Sequence, residues 1–258
     1  MPWWAEFDWS ASDASAAMEP APAFVEAFAA SMPSRYRVLF DPRTIRKHAG
    51  VCFRRAKRAA HVEVWRTHAD GSAALCVVAD DRPGLLSAIA AALVSHRLDV
   101  ITALVFSRVV PGGQEAVDLI WVRRANSADE ARIDDDEAAS IGQVLGAILS
   151  GSVSVEEIAS HNVPSPAPGD SSVVVRFEEI DEDAPAALFV EAPDRPGMLL
   201  TIALEVFQQG AQIVRSLVRT AGGRAYNHFE LAEFSGAPLS PERREQIRTA
   251  VYAALALR

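Results

Sequence analysis

Short apolar runs and amphipathic stretches alternate along this chain, and the alternation occurs twice. Leu75–Ala79 is an unbroken apolar run of strand length, ended by Pro83-Gly84. Leu86, Ile89, Ala90 and Leu93 follow at helical spacing. Asp99–Ser107 and Glu115–Val122 read as two strands joined at Pro111-Gly112-Gly113. Ile141, Leu145 and Ile148 then mark a second amphipathic helix, and an extra strand, Val62–Trp65, precedes the set.

The same order returns further on. Ala74–Leu86 aligns with Ala187–Leu199 at a constant offset, which also carries Val62 to Val175, Leu93 to Val206 and Ser107 to Thr220 without a gap. Beyond it the register slips: Ala116–Ile120 matches Ala225–Phe229, so residues 109–113 are expected to form a longer turn than Ala221-Gly222-Gly223. Ile247, Val251 and Ala254 repeat the second helix, and Val173–Phe177 repeats the leading strand. The chain is a tandem duplication.

This order fixes a fold class. A βαββαβ ferredoxin-like unit needs a fourth strand beside its first. The second copy has no residues left after its last helix, so the leading strand must fill that slot. The expectation is α+β: two tandem ferredoxin-like sandwiches, each an antiparallel four-stranded sheet with two helices on one face. Residues 1–19, with Trp3, Trp4 and Trp9, read as a tail, and 20–60 as a helical segment with helices at 20–31 and Arg43–Ala60. The copies then occupy 61–160 and 172–258, separated by a Pro-rich linker at 161–171.

Composition narrows the class of function. The 258 residues carry 25 basic and 34 acidic side chains, a net charge of −9. That balance argues against sequence-independent binding to nucleic acid or acidic membranes. No apolar run approaches the ~20 residues of a membrane span. Cys52 and Cys76 lie in apolar surroundings and are expected to be reduced thiols in a cytoplasmic protein. His61 and His228 have no second ligand at metal spacing. The acidic run Asp134-Asp135-Asp136 reads as a solvated loop between elements. The basic stretch at Arg46, Lys47, Arg54, Arg55, Lys57 and Arg58 reads as a solvated helix face, or one that docks on the acidic remainder of the chain or on a protein partner. No metal cluster, phosphate loop or nucleophile–base pair stands out, which predicts no cofactor and no catalysis.

Two sites carry candidate chemistry, Asp81-Arg82-Pro83-Gly84-Leu85 and Asp194-Arg195-Pro196-Gly197-Met198. One reading is structural: Asp caps a helix, Pro fixes φ, and Gly permits a tight approach. The other is a binding site. A helix N-terminus welcomes a carboxylate, and the Asp can meet an ammonium. Asp118 and its counterpart Asn227 are placed near a strand start, in a turn or edge role with ligand contact as the alternative.

These Asp-Arg-Pro-Gly repeats resemble tandem ACT domains, small ligand-sensing modules of amino-acid and nitrogen metabolism. Met32–Tyr36 with Ile45–His48, and Val117-Asp118-Leu119-Ile120-Trp121-Val122, more closely resemble the carboxy-terminal region of the PII uridylyltransferase/uridylyl-removing family. That family's catalytic signatures have no counterpart here. Gly71-Ser72 and Gly151-Ser152 lack a following aspartate pair, and no histidine precedes an Asp. The resemblance implies a regulatory protein that binds a small amino acid, glutamine as first guess, between a turn and a neighbouring domain's strand. It would signal to a protein partner, with pairing of copies either in a homodimer or within one chain. An interaction scaffold that has lost its ligand is the alternative.

Overall fold

A computed structural model describes residues 19–125, 132–163, 172–178 and 186–256. All but the last residue of the predicted tail, and most of the linker, lie outside the described residues. The amino-terminal part holds helices α1 (Pro22–Ser31), α2 (Ser34–Leu39) and α3 (Pro42–Arg55). The first repeat follows as β1 (Ala60–Thr67), β2 (Ala73–Asp80), α4 (Leu85–Ser95), β3 (Leu98–Leu104), β4 (Ser107–Val110), β5 (Gly113–Arg124) and α5 (Asp135–Leu149). After α6 (Val155–Asn162) the second repeat runs β6 (Val174–Glu178), β7 (Ala186–Pro193), α7 (Met198–Gln208), β8 (Ala211–Ala221), β9 (Arg224–Glu233) and α8 (Pro241–Ala256).

The strands are ordered β1-β2-β5-β3 in the first repeat and β8-β9-β7-β6 in the second. In each, the leading strand occupies the edge beside the first strand of the unit, as the topology argument requires. The two four-stranded units then merge: β3 pairs antiparallel with β8 through Thr102↔Arg219, Ala103↔Val218 and Leu104↔Leu217. Among the described residues this yields one nine-stranded antiparallel sheet, with β4 paired to β5 off the main path.

Helices α4, α5, α7 and α8 share one core with the inward positions of both halves, including Leu75, Val77, Leu188 and Val190. The opposite face distinguishes the halves. In the first, Ala74, Cys76, Val78, Leu119 and Trp121 point the other way and are sealed under α1–α3 by Phe28, Tyr36 and Phe40. Burial on both faces explains why β2 is a continuous apolar run. In the second half β9 alternates buried and half-buried residues, and its outer face carries Tyr226, His228 and Glu230. Ion pairs cover that face, Arg224–Glu191 at 2.8 Å and Arg215–Glu230 at 2.9 Å. Among the described residues, no helix is long and apolar enough to cross a membrane.

Several expectations need correction. The basic helix ends at Arg55, because Ala56 adopts φ 51° and the chain enters β1 at Ala60. Its last two residues face acidic partners: Arg54 pairs with Glu63 at 2.6 Å and Arg55 with Glu115 at 2.8 Å. The acidic run is no loop; Asp134 caps α5 by accepting from the Glu137 N–H at 2.9 Å, and Asp135 and Asp136 form its first turn. There carboxylates complement the positive end of the helix. The hairpin at 109–113 has a two-residue turn like its counterpart, with Val110↔Gly113 matching Ala221↔Arg224. The register slip comes from longer hairpin arms. The strand expected at Asp99–Ser107 breaks at Val105-Phe106, where the Asp118 carboxylate takes the Phe106 N–H at 3.3 Å. Helices α2 and α6 are additions to the expected order, each too short for its periodicity to stand out.

Candidate functional site

Each Asp-Arg-Pro-Gly sequence makes a type II turn. The Leu85 N–H donates to the Arg82 carbonyl at 3.1 Å, with Pro83 at the second position and Gly84 at the third, φ 81° and ψ 0°. The second repeat matches, with Met198 N–H to Arg195 carbonyl at 3.3 Å and Gly197 at φ 79° and ψ 5°. Such a turn places Pro where φ is fixed and Gly where φ is positive. The helix follows the turn, so the expected Asp cap and Pro inside the first helical turn are both corrected: Gly84 and Gly197 stand at the caps, with no side-chain cap hydrogen bond. The Arg is a brace. Arg82 donates to the Leu149 carbonyl at the end of α5, at 2.6 Å, and Arg195 to the Leu255 carbonyl in α8, at 3.2 Å. A cation at a helix C-terminus is favourable.

With Asp released from capping and Arg turned to the neighbouring helix, the first turn borders a shallow cleft open to solvent. Asp81, Arg82, Gly84, Leu85 and Asp118 line it from the first repeat, and Phe207 and Gln212 from the second. The cleft therefore lies where the merged sheet brings α7 and the start of β8 beside α4. Leu86 and Ser87 present the amino-terminal turn of α4 to it. Backbone N–H groups at such a position have no partner within the helix.

Asp118 departs furthest from the sequence expectation. It sits in the middle of β5, opposite Val77, and is 1 % exposed rather than near a strand start in a turn or edge. Desolvation pushes its carboxyl well above the usual range, the Asp81 charge adds to this, and the Phe106 N–H partly opposes it. The cleft thus has an exposed carboxylate at its rim and, at its base, a buried carboxyl whose surroundings favour the neutral form. Asp81 has no ion pair or side-chain hydrogen bond among the described residues.

The second turn has different surroundings. Asp194 accepts from Arg123 at 2.6 Å, and the same guanidinium reaches Asp99 at 3.0 Å. Asn227 is also buried in mid-strand, against the expectation of a turn or edge, and its amide points to the Met198 sulfur at 3.7 Å. A Cβ on Gly197 would lie 2.9 Å from the Val163 side chain, and one on Gly84 2.9 Å from the Phe207 ring. Pro83 and Pro196 act through the turn alone. Arg123, Val163, Phe207 and Gln212 carry no signal in the sequence. Each reaches its turn from outside that turn's own motif, through pairing across the halves or through α6.

No protein-family profile matches the chain. The chain is similar to bifunctional uridylyltransferase/uridylyl-removing enzymes. It is 26% identical over 205 residues to that of Nitrobacter hamburgensis, covering 77% of this chain and 21% of the relative. The Bradyrhizobium diazoefficiens enzyme is 28% identical over 81% of this chain and 22% of its own length. The Phenylobacterium zucineum enzyme is 25% identical over 95% of this chain and 26% of its own. The chain therefore spans about a fifth to a quarter of the curated relatives it matches. Among solved structures, aspartate kinase from Synechocystis aligns over 70% of this chain and 26% of its own, at 14% identity and a TM-score of 0.38.

Proposed function

We propose that the chain is a regulatory module, without catalysis of its own, that binds a small amino acid in the cleft between its halves and passes the bound state to a protein partner in nitrogen metabolism. Glutamine is the first candidate. The observation that carries this reading is Asp81, an exposed carboxylate with no cation among the described residues, beside a helix N-terminus and above Asp118. An α-ammonium suits Asp81, and an α-carboxylate suits the Leu86 and Ser87 N–H groups, which have no partner within α4. A side-chain amide would meet Gln212 and the buried carboxyl of Asp118, whose surroundings favour the neutral form and so leave it able to exchange hydrogen bonds. Leu85 contributes apolar wall. Similarity to part of a two-activity enzyme of uridylyl transfer and removal supports a regulatory role.

Transmission follows from where the cleft lies. Its walls belong to both repeats, so a ligand that prefers one seating of α7 on α4 shifts the population toward it. The shift can be no larger than the ligand's differential affinity for the two seatings. Phe207 favours the scaffold reading as the alternative, since its ring packs on Gly84 at the cleft.

Calorimetric titration of amino acids, glutamine first, decides between them. At 100 times its Kd a ligand adds about 2.7 kcal/mol of stability. Saturable binding of glutamine that Asp81→Asn abolishes supports the sensor. No heat and no thermal shift with any of the twenty amino acids leaves the scaffold.

A further inference from the structure

The two turns are equivalent in sequence and backbone, yet their surroundings differ at three matched positions. Asp81 has no cation among the described residues, whereas Asp194 holds Arg123 at 2.6 Å. The buried polar residue on the third strand of the unit is Asp118 in one repeat and Asn227 in the other, the latter turned to Met198. The glycine of the first turn is covered by Phe207 of α7. The residue matching Phe207 in the first repeat is Val94, but the second turn's glycine is covered instead by Val163, just after α6.

We infer that the two turns have parted in role: the Asp81 turn is the ligand site, and the Asp194 turn is a latch filled by the chain's own Arg123 and Val163, so that one chain takes one ligand. The latch stands on geometry alone. The count of ligands rests on the sensor reading above.

Charge and position make Arg123 a substitute for a ligand's ammonium. It lies near the end of β5 and bridges Asp99 of β3, in its own repeat, to Asp194 at the turn of the other. Asp99 is 5 % exposed and Asp194 half-buried, so the guanidinium neutralises two carboxylates that would otherwise repel across the seam. At the first turn the matching pair is not repeated. The residue corresponding to Asp99 by the constant offset is Gln212, and the one corresponding to Arg123 by the strand register is Ala232. A neutral amide and a methyl group leave Asp81 available, whereas the second turn already contains its cation. Val163 adds steric closure. Its methyl carbons stand where a group approaching the Gly197 backbone would have to sit.

Two measurements test this on the full chain. The first needs no ligand: thermal midpoints of Asp81→Asn, Asp194→Asn, Arg123→Gln and the double variant Arg123→Gln/Asp194→Asn. Asp194→Asn should lower the midpoint by about 2–6 °C. The double variant should fall by less than the sum of its singles, and Asp81→Asn should stay within about 1 °C of the parent. Additive effects at 123 and 194, or equal losses at 81 and 194, overturn the latch. The second is equilibrium dialysis against labelled glutamine. One site per chain is expected in the parent and in Asp194→Asn, with Kd unchanged within about twofold, and none in Asp81→Asn. Two sites in the parent, or binding that Asp194→Asn removes and Asp81→Asn spares, overturns the division of roles. If no glutamine binds to any form, the count of one ligand falls with the glutamine reading, and the midpoints alone decide the latch.

Discussion

The Tyr36 hydroxyl lies 2.7 Å from His48 Nδ1, joining α2 to α3 inside a cluster of rings that includes Phe40, Phe106 and Trp65. His48 is fully buried, and its Nε2 has no hydrogen-bond partner among the described residues. Burial lowers its pKa from 6.5 to about 3, with Lys47 adding to the effect and Asp41 opposing it.

A defined pH dependence follows. Below pH 6.5 the unfolded chain protonates this imidazole while the folded chain does not. Stability from this group is thus present above 6.5 and lost as pH falls toward 3. At pH 5 the loss should reach about 2 kcal/mol. His48→Asn keeps a polar atom near Tyr36 but cannot titrate. Its urea midpoint should begin lower at pH 7 and decline less between pH 7 and 5 than the parent's. Parallel curves over that range would remove His48 as the cause.

Gly84 separates backbone strain from contact. An alanine there meets φ 81° and a Cβ 2.9 Å from the Phe207 ring. Gly71 has nearly the same φ, 83°, with nothing within 4 Å of where a Cβ would stand. Gly71→Ala should therefore cost only the left-handed strain, about 1–2 kcal/mol. Gly84→Ala should cost about 1–3 kcal/mol more, the usual range for overpacking. Chemical denaturation of both variants measures the difference. Equal losses would mean that Phe207 moves aside freely.

Much of this architecture was legible because the duplication doubles every signal. Leu75–Ala79 alone is an ambiguous apolar run, but its match to Leu188–Ala192 and the shared Pro-Gly break make it a strand leading to a turn. The leading strand's place followed from counting strands. The merging of the sheets did not follow, because Thr102–Leu104 and Leu217–Arg219 pair by backbone hydrogen bonds that leave no side-chain signature. The site was half legible for the same reason. Asp81 and Gly84 belong to a local motif, whereas Phe207 and Gln212 arrive only when β3 meets β8. Asp118 was misplaced because a single carboxylate in an apolar strand reads as a strand end, and its burial depends on helices distant in sequence.

Arg55 should contribute through its buried partner. Its guanidinium reaches Asp80 at 2.7 Å and Glu115 at 2.8 Å, but the Asp80 side chain is 78% exposed and that of Glu115 only 9%. Solvent screens the first pair, so most of the effect lies with Glu115. Arg55→Met keeps much of the apolar stem and leaves Glu115 with Arg108 as its remaining cation among the described residues. A loss of about 3 kcal/mol is expected, the order found when one partner of a buried pair is removed. Asp80→Asn should lose less than about 1 kcal/mol. Urea unfolding of the two variants checks the ranking, and a larger loss for Asp80→Asn would reverse it.

Asp118 should be a burden on the ligand-free protein. An acid whose folded pKa is raised contributes stability below its unfolded value of 3.8, and that contribution is lost as pH rises through the folded pKa. At pH 7 the unfolded chain releases this proton freely, whereas the folded chain must keep it or bury a charge. Asp118→Asn removes that penalty while its carbonyl can still accept from the Phe106 N–H, and Asn227 demonstrates an amide accommodated at the matching place. The variant should melt higher than the parent at pH 7 by roughly 2–4 °C, the shift expected of about 1 kcal/mol in a chain of this size. The advantage should shrink as pH approaches 4, where both states of the parent hold the proton. A midpoint at pH 7 equal to or below the parent's would show that Asp118 is ionised in the fold and stabilised by groups around the cleft.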